Sequence, residues 1–362
     1  MPRRTPRLSL LALMASLVMG AAALALPSTA DAQNAPAHHA DSATSRTSGT
    51  GGAAAAAPCP LNAILVPKCG RLFGAFTQPS GGQSSEEAFR SLQRRTGSHL
   101  RVFHFYHGGT QLFPSSWEIQ LSRQGHLLLL NWKPETGHSW AQVANGASDR
   151  YIDREAAYLR SHYAHKKFFL VIHHEPEEEV NPTPGSGYTA KDFARMFRHV
   201  EDRLRSHGVN NAVYVMNYMG TEVHAVKSWY PDLWPGRKYV DWIAFDRYSA
   251  PPMAPTDGRF KKLVNRHYGN GPWRGPYRWA RSHFPHKPVM LAEWAGSEKP
   301  GHPGWKPRLF DSVPRGMLSM PGLKLISYWD SPGYSGPSKR VDTTAASMAA
   351  WKRLAARPMF HR

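Results

Sequence analysis

Two glutamates follow apolar segments of the chain, and their positions suggest shared chemistry. Residues 166–180 read KKFFLVIHHEPEEEV, an apolar run that ends abruptly in polar residues around Glu175. Residues 287–296 read KPVMLAEWAG and place Glu293 after a second apolar run. Buried parallel strands have this composition, and α/β barrels carry their active sites at the carboxyl ends of such strands. Two carboxyl groups brought together in this way would suit glycoside hydrolysis.

That reaction requires two carboxyl groups in different ionisation states. One stays protonated to donate to the leaving oxygen, and the other is ionised. A separation of about 5–5.5 Å predicts retention of configuration through a covalent intermediate, and about 6.5–9.5 Å predicts inversion. Glu175 and the following glutamates also fit a solvated acidic loop. An uncompensated Glu293 after a buried segment would be costly, which favours a functional role for it.

The ends of the other apolar segments carry imidazole, indole, phenol and carboxyl groups. This mixture suits sugar binding, because aromatic rings stack on the apolar faces of a pyranose while polar groups bind its hydroxyls. Each residue also has a structural alternative, as a packed core ring or, for the aspartate, as the partner of a neighbouring cation. The candidate substrate-binding residues are His104, Trp132, His174, Asp246, Tyr248, Trp294 and Trp329.

Eight short apolar segments alternate with amphipathic stretches along the chain. This alternation predicts a (β/α)8 TIM barrel that forms a single catalytic domain. The competing fold, an open doubly wound sheet, would need a glycine-rich phosphate loop after its first strand, and residues 77–82 (TQPSGG) lack that spacing. The predicted strands are residues 72–78, 100–106, 126–132, 167–174, 212–217, 240–246, 288–293 and 324–329.

Motifs of other enzyme classes do not occur in the sequence. Residues 173–175 (HHE) do not match the His-Glu-x-x-His zinc pattern, and there is neither a Gly-x-Ser-x-Gly elbow nor a Walker-type loop. We therefore expect no metal and no cofactor.

The N-terminal residues have the features of an export signal. Basic residues precede an apolar run at residues 8–26, and Ala30-Asp31-Ala32 fits a cleavage site before Gln33. We predict a signal peptide over residues 1–32, a flexible Ala/Gly/Ser-rich linker over 33–58 and the catalytic domain over 59–362. The expected location is extracellular, or else periplasmic or on the envelope, with no membrane span after cleavage. An uncleaved anchor is the alternative, because the apolar run is long.

Cys59 and Cys69 are the two cysteines of the chain. Two nearby cysteines in an exported protein predict one disulfide, with two free thiols as the alternative.

The formal net charge of +19 is strongly basic. It favours anionic partners such as acidic polymers of the cell envelope, or it serves solubility alone. Export and the lack of a nucleic-acid motif argue against nucleic acid. We expect a monomer whose main partner is a polysaccharide substrate.

Several segments, in their order and spacing, resemble glycoside hydrolase family 26, a (β/α)8 family of endo-β-mannanases and related enzymes. They cover most of residues 71–357. The segments are His174-Glu175-Pro176 at the fourth strand, Trp132-Lys133-Pro134 at the third, Tyr230-Pro231 with residues 239–248 (YVDWIAFDRY) at the sixth, and residues 288–293 at the seventh.

The resemblance implies a retaining enzyme in which Glu175 is the acid/base and Glu293 the nucleophile. It also implies that His174 hydrogen-bonds near the −1 sugar, that Tyr248 orients the nucleophile and that Trp329 forms a −1 platform. The majority activity of the family makes β-mannan the expected substrate.

Two features depart from the family pattern. Residues 177–179 (EEE) follow the acid/base motif, and we interpret them as a loop at the rim of the cleft; residues 294–296 (WAG) follow the nucleophile. A non-catalytic polysaccharide- or envelope-binding protein on a degenerate barrel remains the alternative, although the presence of both glutamates argues against it.

Overall fold

The computed structural model describes residues 59–249, 258–268, 271–333 and 337–361. The predicted signal peptide and linker, residues 1–58, lie outside the described residues. Along the described part of the chain, no helix combines the length and the apolar character needed to cross a bilayer.

Eight parallel strands form a closed barrel in which each strand pairs with the next and the first pairs with the last. The predicted (β/α)8 fold is therefore confirmed. All eight predicted segments are strands, and their ends differ from the prediction by a few residues. The strands are β1 (Leu72–Thr77), β2 (Val102–His107), β3 (Leu127–Trp132), β4 (Phe168–Ile172), β5 (Ala212–Tyr218), β6 (Trp242–Ser249), β7 (Val289–Gly296) and β8 (Leu323–Asp330).

Helices surround the barrel and begin where the sequence provides capping side chains. Thr189, for example, accepts a hydrogen bond from the backbone N–H of Asp192 and donates to its carboxylate, a reciprocal cap that starts a long helix. The described α-helices are α1 (Ser85–Thr96), α2 (Ser116–Arg123), α3 (Trp140–Ala144), α4 (Asp149–His162), α5 (Ala190–Ser206), α6 (Glu222–Ala225), α7 (Phe260–Val264), α8 (Pro276–His283), α9 (Trp305–Leu318) and α10 (Ala345–Ala355).

Alternate residues of each strand pack into two separate apolar regions, because successive side chains of a strand point to opposite faces. In β3, Leu129 faces the barrel interior, whereas Leu128 and Leu130 face the layer between strands and helices. The inward positions become polar toward the carboxyl ends of the strands, as in β2, where Val102 is followed by His104 and Tyr106. The barrel thus has an apolar base and a polar top.

The N-terminal segment of the domain closes the amino end of the barrel. Leu61, Ile64 and Leu65 belong to the same apolar cluster as the inward residues near the strand starts. The indole N–H of Trp242, the first residue of β6, donates to the Ile64 carbonyl at 2.7 Å. A disulfide joins Cys59 and Cys69 across this segment, as predicted, with a Cα–Cα distance of 5.6 Å. We call residues 59–69 the plug.

Strand β7 contains one residue more than either neighbour over the same stretch. Opposite β6, Leu291 pairs with Phe245 and Glu293 pairs with Asp246, so Ala292 is extra. Opposite β8, Leu291 pairs with Ile326 and Trp294 with Tyr328, which gives the same count. Such a bulge interrupts the inward–outward alternation and redirects the side chains that follow.

Candidate active site

Three carboxyl groups meet at the polar end of the barrel. Glu175 follows β4, Asp246 lies in β6 and Glu293 in β7. The Glu175 and Asp246 carboxyl groups interact electrostatically with each other, and the charge of Glu293 acts on both of them. The two glutamates predicted from the sequence are therefore neighbours in space.

Two phenols hold the carboxylate of Glu293. Tyr106 of β2 donates to Oε1 and Tyr248 of β6 donates to Oε2. The ammonium of Lys339 lies 5.4 Å from the ring centroid of Tyr248 and adds positive charge to the same region. Burial raises the pKa of Glu293, while the two phenol hydrogen bonds and Lys339 oppose that rise. Of the three carboxyl groups, Glu293 has the most donors for its ionised form.

The environment of Glu175 favours the opposite state. Burial, and then the charges of Glu293, Glu177 and Glu178, raise the pKa of this carboxyl well above its usual range. A carboxyl group that keeps its proton beside an ionised one is the arrangement that general-acid catalysis at a glycosidic oxygen requires.

Asp246 links this pair to β5. The side-chain amide of Asn217 donates to Asp246 Oδ2 at 2.6 Å. Burial, together with the charges of Glu293 and Glu175, raises the pKa of Asp246 well above its usual range. Glu175 and Asp246 are therefore two neighbouring carboxyl groups whose pKa values are both raised.

An unusual backbone turn presents Glu175 to this cluster. His173 and Glu175 both have left-handed conformations, with φ of 50° and 51°. Such conformations cost about 1–3 kcal/mol each for residues other than glycine, and they persist where their surroundings enforce them. The His173 N–H donates to the carbonyl of Trp132 at 2.9 Å, and the Glu175 N–H donates to that of Asn217 at 3.1 Å. The turn is thus fixed to both neighbouring strands.

Aromatic rings line the cleft beside the carboxyl groups. Trp329, at the end of β8, stacks on Phe76 with a centroid distance of 4.1 Å and an interplanar angle of 21°. Tyr106 makes edge contacts with Trp329 at 5.4 Å and with His174 at 5.2 Å. The predicted residues His174, Tyr248 and Trp329 are therefore grouped around Tyr106 and Glu293, where a sugar ring can be stacked and hydrogen-bonded.

His104 lies below this group rather than in it. It is fully buried and contacts the Asn131 amide and, at 3.3 Å, the Ser327 hydroxyl. Burial lowers the pKa of His104 to about 3, so the ring is neutral. The residue supports Tyr106, whose ring centroid is 4.8 Å away, and we correct its expected role from substrate contact to the floor of the site.

Two predicted tryptophans lie outside the cleft and are corrected. Trp132 occupies an outward position of β3 and packs on Phe113, because the inward position belongs to Asn131. Trp294 packs between Phe260 and Tyr328 in the layer under the helices. In regular alternation after Met290, Trp294 would face inward and Glu293 outward, but the bulge at Ala292 reverses these positions.

Glu177 also differs from the expected rim position. It is 3% exposed, and its carboxylate accepts the backbone N–H groups of Met219 and Gly220 at 3.1 and 3.3 Å. Glu178 and Glu179 are exposed, as a rim loop requires. Glu177 therefore anchors the loop after β4 to the loop after β5.

Sequence reasoning missed Tyr106 and Asn217 as site residues. Each is the last residue of a predicted strand and lies two residues after another inward side chain. Because inward side chains alternate along a strand, counting every second residue would have identified both. Among the described residues, no group of three or more potential ligands is arranged to hold a metal ion.

Comparison with known proteins agrees with this architecture. A sequence model described as glycosyl hydrolase family 26 matches residues 184–271, a range that includes Asp246 and Tyr248 but neither glutamate. No match was found among curated proteins.

Solved structures of similar fold include three described as family 26 mannanases. A ruminal endo-β-1,4-mannanase is 15% identical, with a TM-score of 0.53. The match covers 79% of this chain and 63% of the mannanase, so this chain spans less than two thirds of the mannanase. The catalytic domain of a Bacillus sp. JAMB-750 endo-β-1,4-mannanase is 14% identical (TM-score 0.56; 80% and 86% covered). A Bacteroides ovatus β-mannanase is 19% identical (TM-score 0.53; 82% and 92% covered).

At these identities the structural likeness shows the fold, and the family model adds the sequence link. Together they confirm the predicted resemblance to glycoside hydrolase family 26, whose members described above have the same barrel fold.

Proposed function

We propose that the protein is a secreted, retaining glycoside hydrolase that cleaves a β-linked polysaccharide through a glycosyl-enzyme intermediate. The observation that carries this proposal is the contrast between the two glutamates. Glu293 receives hydrogen bonds from two phenols, while the nearby Glu175 is in an environment that keeps its proton.

In the first step, an oxygen of Glu293 attacks the anomeric carbon and the bond to the glycosidic oxygen breaks. The proton of Glu175 passes to that oxygen, and the leaving sugar departs neutral. In the second step, the ionised Glu175 takes a proton from water, whose oxygen attacks the anomeric carbon and releases Glu293. Tyr106 and Tyr248 hold Glu293 in line for both steps.

The substrate we propose is β-1,4-mannan, cleaved within the chain. Support comes from the structural relatives, which are described as endo-β-1,4-mannanases, and from the aromatic surface of Trp329 and Tyr106 beside the carboxyl groups. In the proposed complex, His174 hydrogen-bonds the sugar at the −1 position and Trp329 stacks on the same sugar. Residues 1–32 carry three arginines and one aspartate, a net charge of +2, so +17 of the +19 would remain after export and would also draw the protein to anionic envelope polymers.

The first test compares the wild type with Glu293→Ala and Glu175→Ala on a panel of β-mannans, xylans and β-glucans. We expect the wild type to release reducing ends from mannan and Glu293→Ala to lose at least about 10³-fold, because the nucleophile is essential. Circular dichroism checks that both variants fold, and mass spectrometry of the exported chain checks the expected start at Gln33.

Two outcomes would contradict the proposal. Full activity of Glu293→Ala on any hydrolysed glycan would remove the assigned nucleophile. Binding to glycans without hydrolysis by the wild type would favour a non-catalytic polysaccharide-binding protein. Proton NMR of the first product decides the stereochemistry, since a retaining enzyme releases the β-anomer first.

A further inference from the structure

His173, the residue that begins the left-handed turn, connects two loops at the top of the barrel. Its Nδ1 hydrogen-bonds Glu135, which follows β3, and its Nε2 lies 3.4 Å from Glu179, which follows β4. Lys133 forms an ion pair with the same Glu179 carboxylate. The imidazole is thus placed between two carboxylates from two loops.

The surroundings of His173 favour its charged form despite its burial. The ring is 1% exposed, and its edge contacts with Trp140 and Phe193 have centroid distances of 5.2 and 6.0 Å. Burial alone would lower the pKa of His173, but Glu135 and Glu179 outweigh it and raise the pKa. An imidazolium hydrogen-bonds Glu135 through Nδ1 and places its positive charge between the two carboxylates.

The contact of His173 lies close in sequence to Glu175, the proposed acid/base. Only His174 separates His173 from Glu175, and both flanking residues need φ values near 50°. Backbone hydrogen bonds to Trp132 and Asn217 fix the two ends of the turn. The side chain of His173 ties the same turn to Glu135 in the loop after β3 and to Glu179 farther along its own loop.

We propose that His173 is a positioning residue for Glu175. Its imidazolium joins Glu135 to Glu179 and so holds the left-handed turn that directs the acid/base toward the glycosidic oxygen. This inference rests on the proposed function and adds to it a residue that acts through Glu175 without touching the substrate.

The test uses His173→Phe, which keeps a ring between Trp140 and Phe193 and removes both N–H donors. It compares two mannobiosides, one with an ordinary sugar leaving group and one with dinitrophenolate, which departs without acid assistance. A displaced acid should lower kcat on the first about 10- to 100-fold, since misplacement by about 1 Å costs on this order. The burst of dinitrophenolate, which reports the first step alone, should change less than about threefold.

Azide provides a second readout. Azide attacks the glycosyl-enzyme without a general base, so it should accelerate turnover of the dinitrophenyl substrate by His173→Phe and Glu175→Ala but not by the wild type. If His173→Phe folds poorly, Glu179→Gln removes one end of the same contact at an exposed position and should give the same pattern more weakly.

The matched control is His199→Phe. His199 forms an equivalent histidine–carboxylate contact with Asp149, at 2.6 Å, between α5 and α4 on the outside of the barrel. This variant should keep wild-type kcat on both substrates. An equal loss in kcat on the sugar substrate and in the burst rate of the dinitrophenyl substrate for His173→Phe, or no loss in either, would overturn the positioning role. If Glu175→Ala itself lost activity equally on the two substrates, Glu175 would not be the acid. That result would overturn the proposed function, and this inference with it.

Discussion

The charge on Glu293 is maintained by individual hydrogen-bond donors. The carboxyl group is buried beside two other carboxyl groups, Glu175 and Asp246, and burial normally favours a proton. Tyr106, Tyr248 and Lys339 oppose this effect from three different strands and loops. At the scale of single residues, the ionised state of Glu293, the proposed nucleophile, therefore depends on its two phenol partners.

Replacing Tyr248 with Phe should make Glu293 harder to ionise. Losing one donor raises the pKa of Glu293 further, so the acidic limb of the kcat/KM profile should move to higher pH. A hydrogen bond to a charged group contributes about 1.5–3 kcal/mol, which corresponds to a loss of roughly 10- to 100-fold in kcat/KM. The measurement is kcat/KM against pH for the variant and the wild type.

Tyr239→Phe is the control for this change, because that phenol donates to Asp202 on the surface at 3.0 Å. It should leave the profile unchanged. An acidic limb that stays in place in Tyr248→Phe would show that Tyr248 does not stabilise the ionised form of Glu293.

Elements of secondary structure were largely predictable from the sequence, whereas the directions of some side chains were not. Apolar runs with polar ends predicted all eight strands, because a parallel strand that is buried on both faces consists almost entirely of apolar residues. The bulge in β7 left no such mark, and Trp294 was therefore expected in the cleft. Glu177 was expected at the rim because its hydrogen-bond donors could not be predicted. They are backbone N–H groups of another loop, and a backbone N–H is present whatever the residue type.

Helix α4 contains a buried carboxyl group away from the active site, with consequences for stability. Glu155 is 1% exposed and accepts the N–H of Phe113 through both oxygens, at 3.4 and 3.3 Å. Burial raises the pKa of Glu155 to about 9. The folded protein thus holds a proton that the unfolded chain releases above its ordinary pKa of about 4.3. Stability should fall by up to about 1.4 kcal/mol for each pH unit between these values.

Glu155→Gln should remove this dependence, since an amide keeps the acceptor and carries no charge. We expect the variant to have a higher Tm than the wild type at pH 8 and a similar Tm at pH 4, where the carboxyl is protonated in both states. Thermal unfolding at the two pH values measures this. A variant less stable than the wild type at pH 8 would contradict the expected protonation of Glu155.

At the scale of the whole molecule, the barrel separates stability from chemistry along its axis. The plug closes the amino end with apolar side chains and a disulfide, while the carboxyl groups and aromatic rings occupy the opposite end. Changes at one end should therefore have little direct effect on the other.

Replacing both Cys59 and Cys69 with Ser should reduce stability and spare activity. Releasing a short loop of this kind costs about 2–3 kcal/mol, because the unfolded chain gains freedom. Denaturant unfolding should show this loss, while kcat at a temperature where the variant is folded should equal that of the wild type. A reduced kcat in the folded variant would mean that the plug influences the active end.

The extra residue in β7 makes the direction of Glu293 depend on the bulge that accommodates it. If Ala292 paired regularly with both neighbouring strands, Glu293 would enter the apolar layer and the indole of Trp294 would fill the cleft. Exchange of Ala292 for another small residue leaves the count, and hence the carboxylate, in place. A relative that lacks this residue would also keep its glutamate inward, because regular alternation from Met290 and Leu291 then leads directly to Glu293.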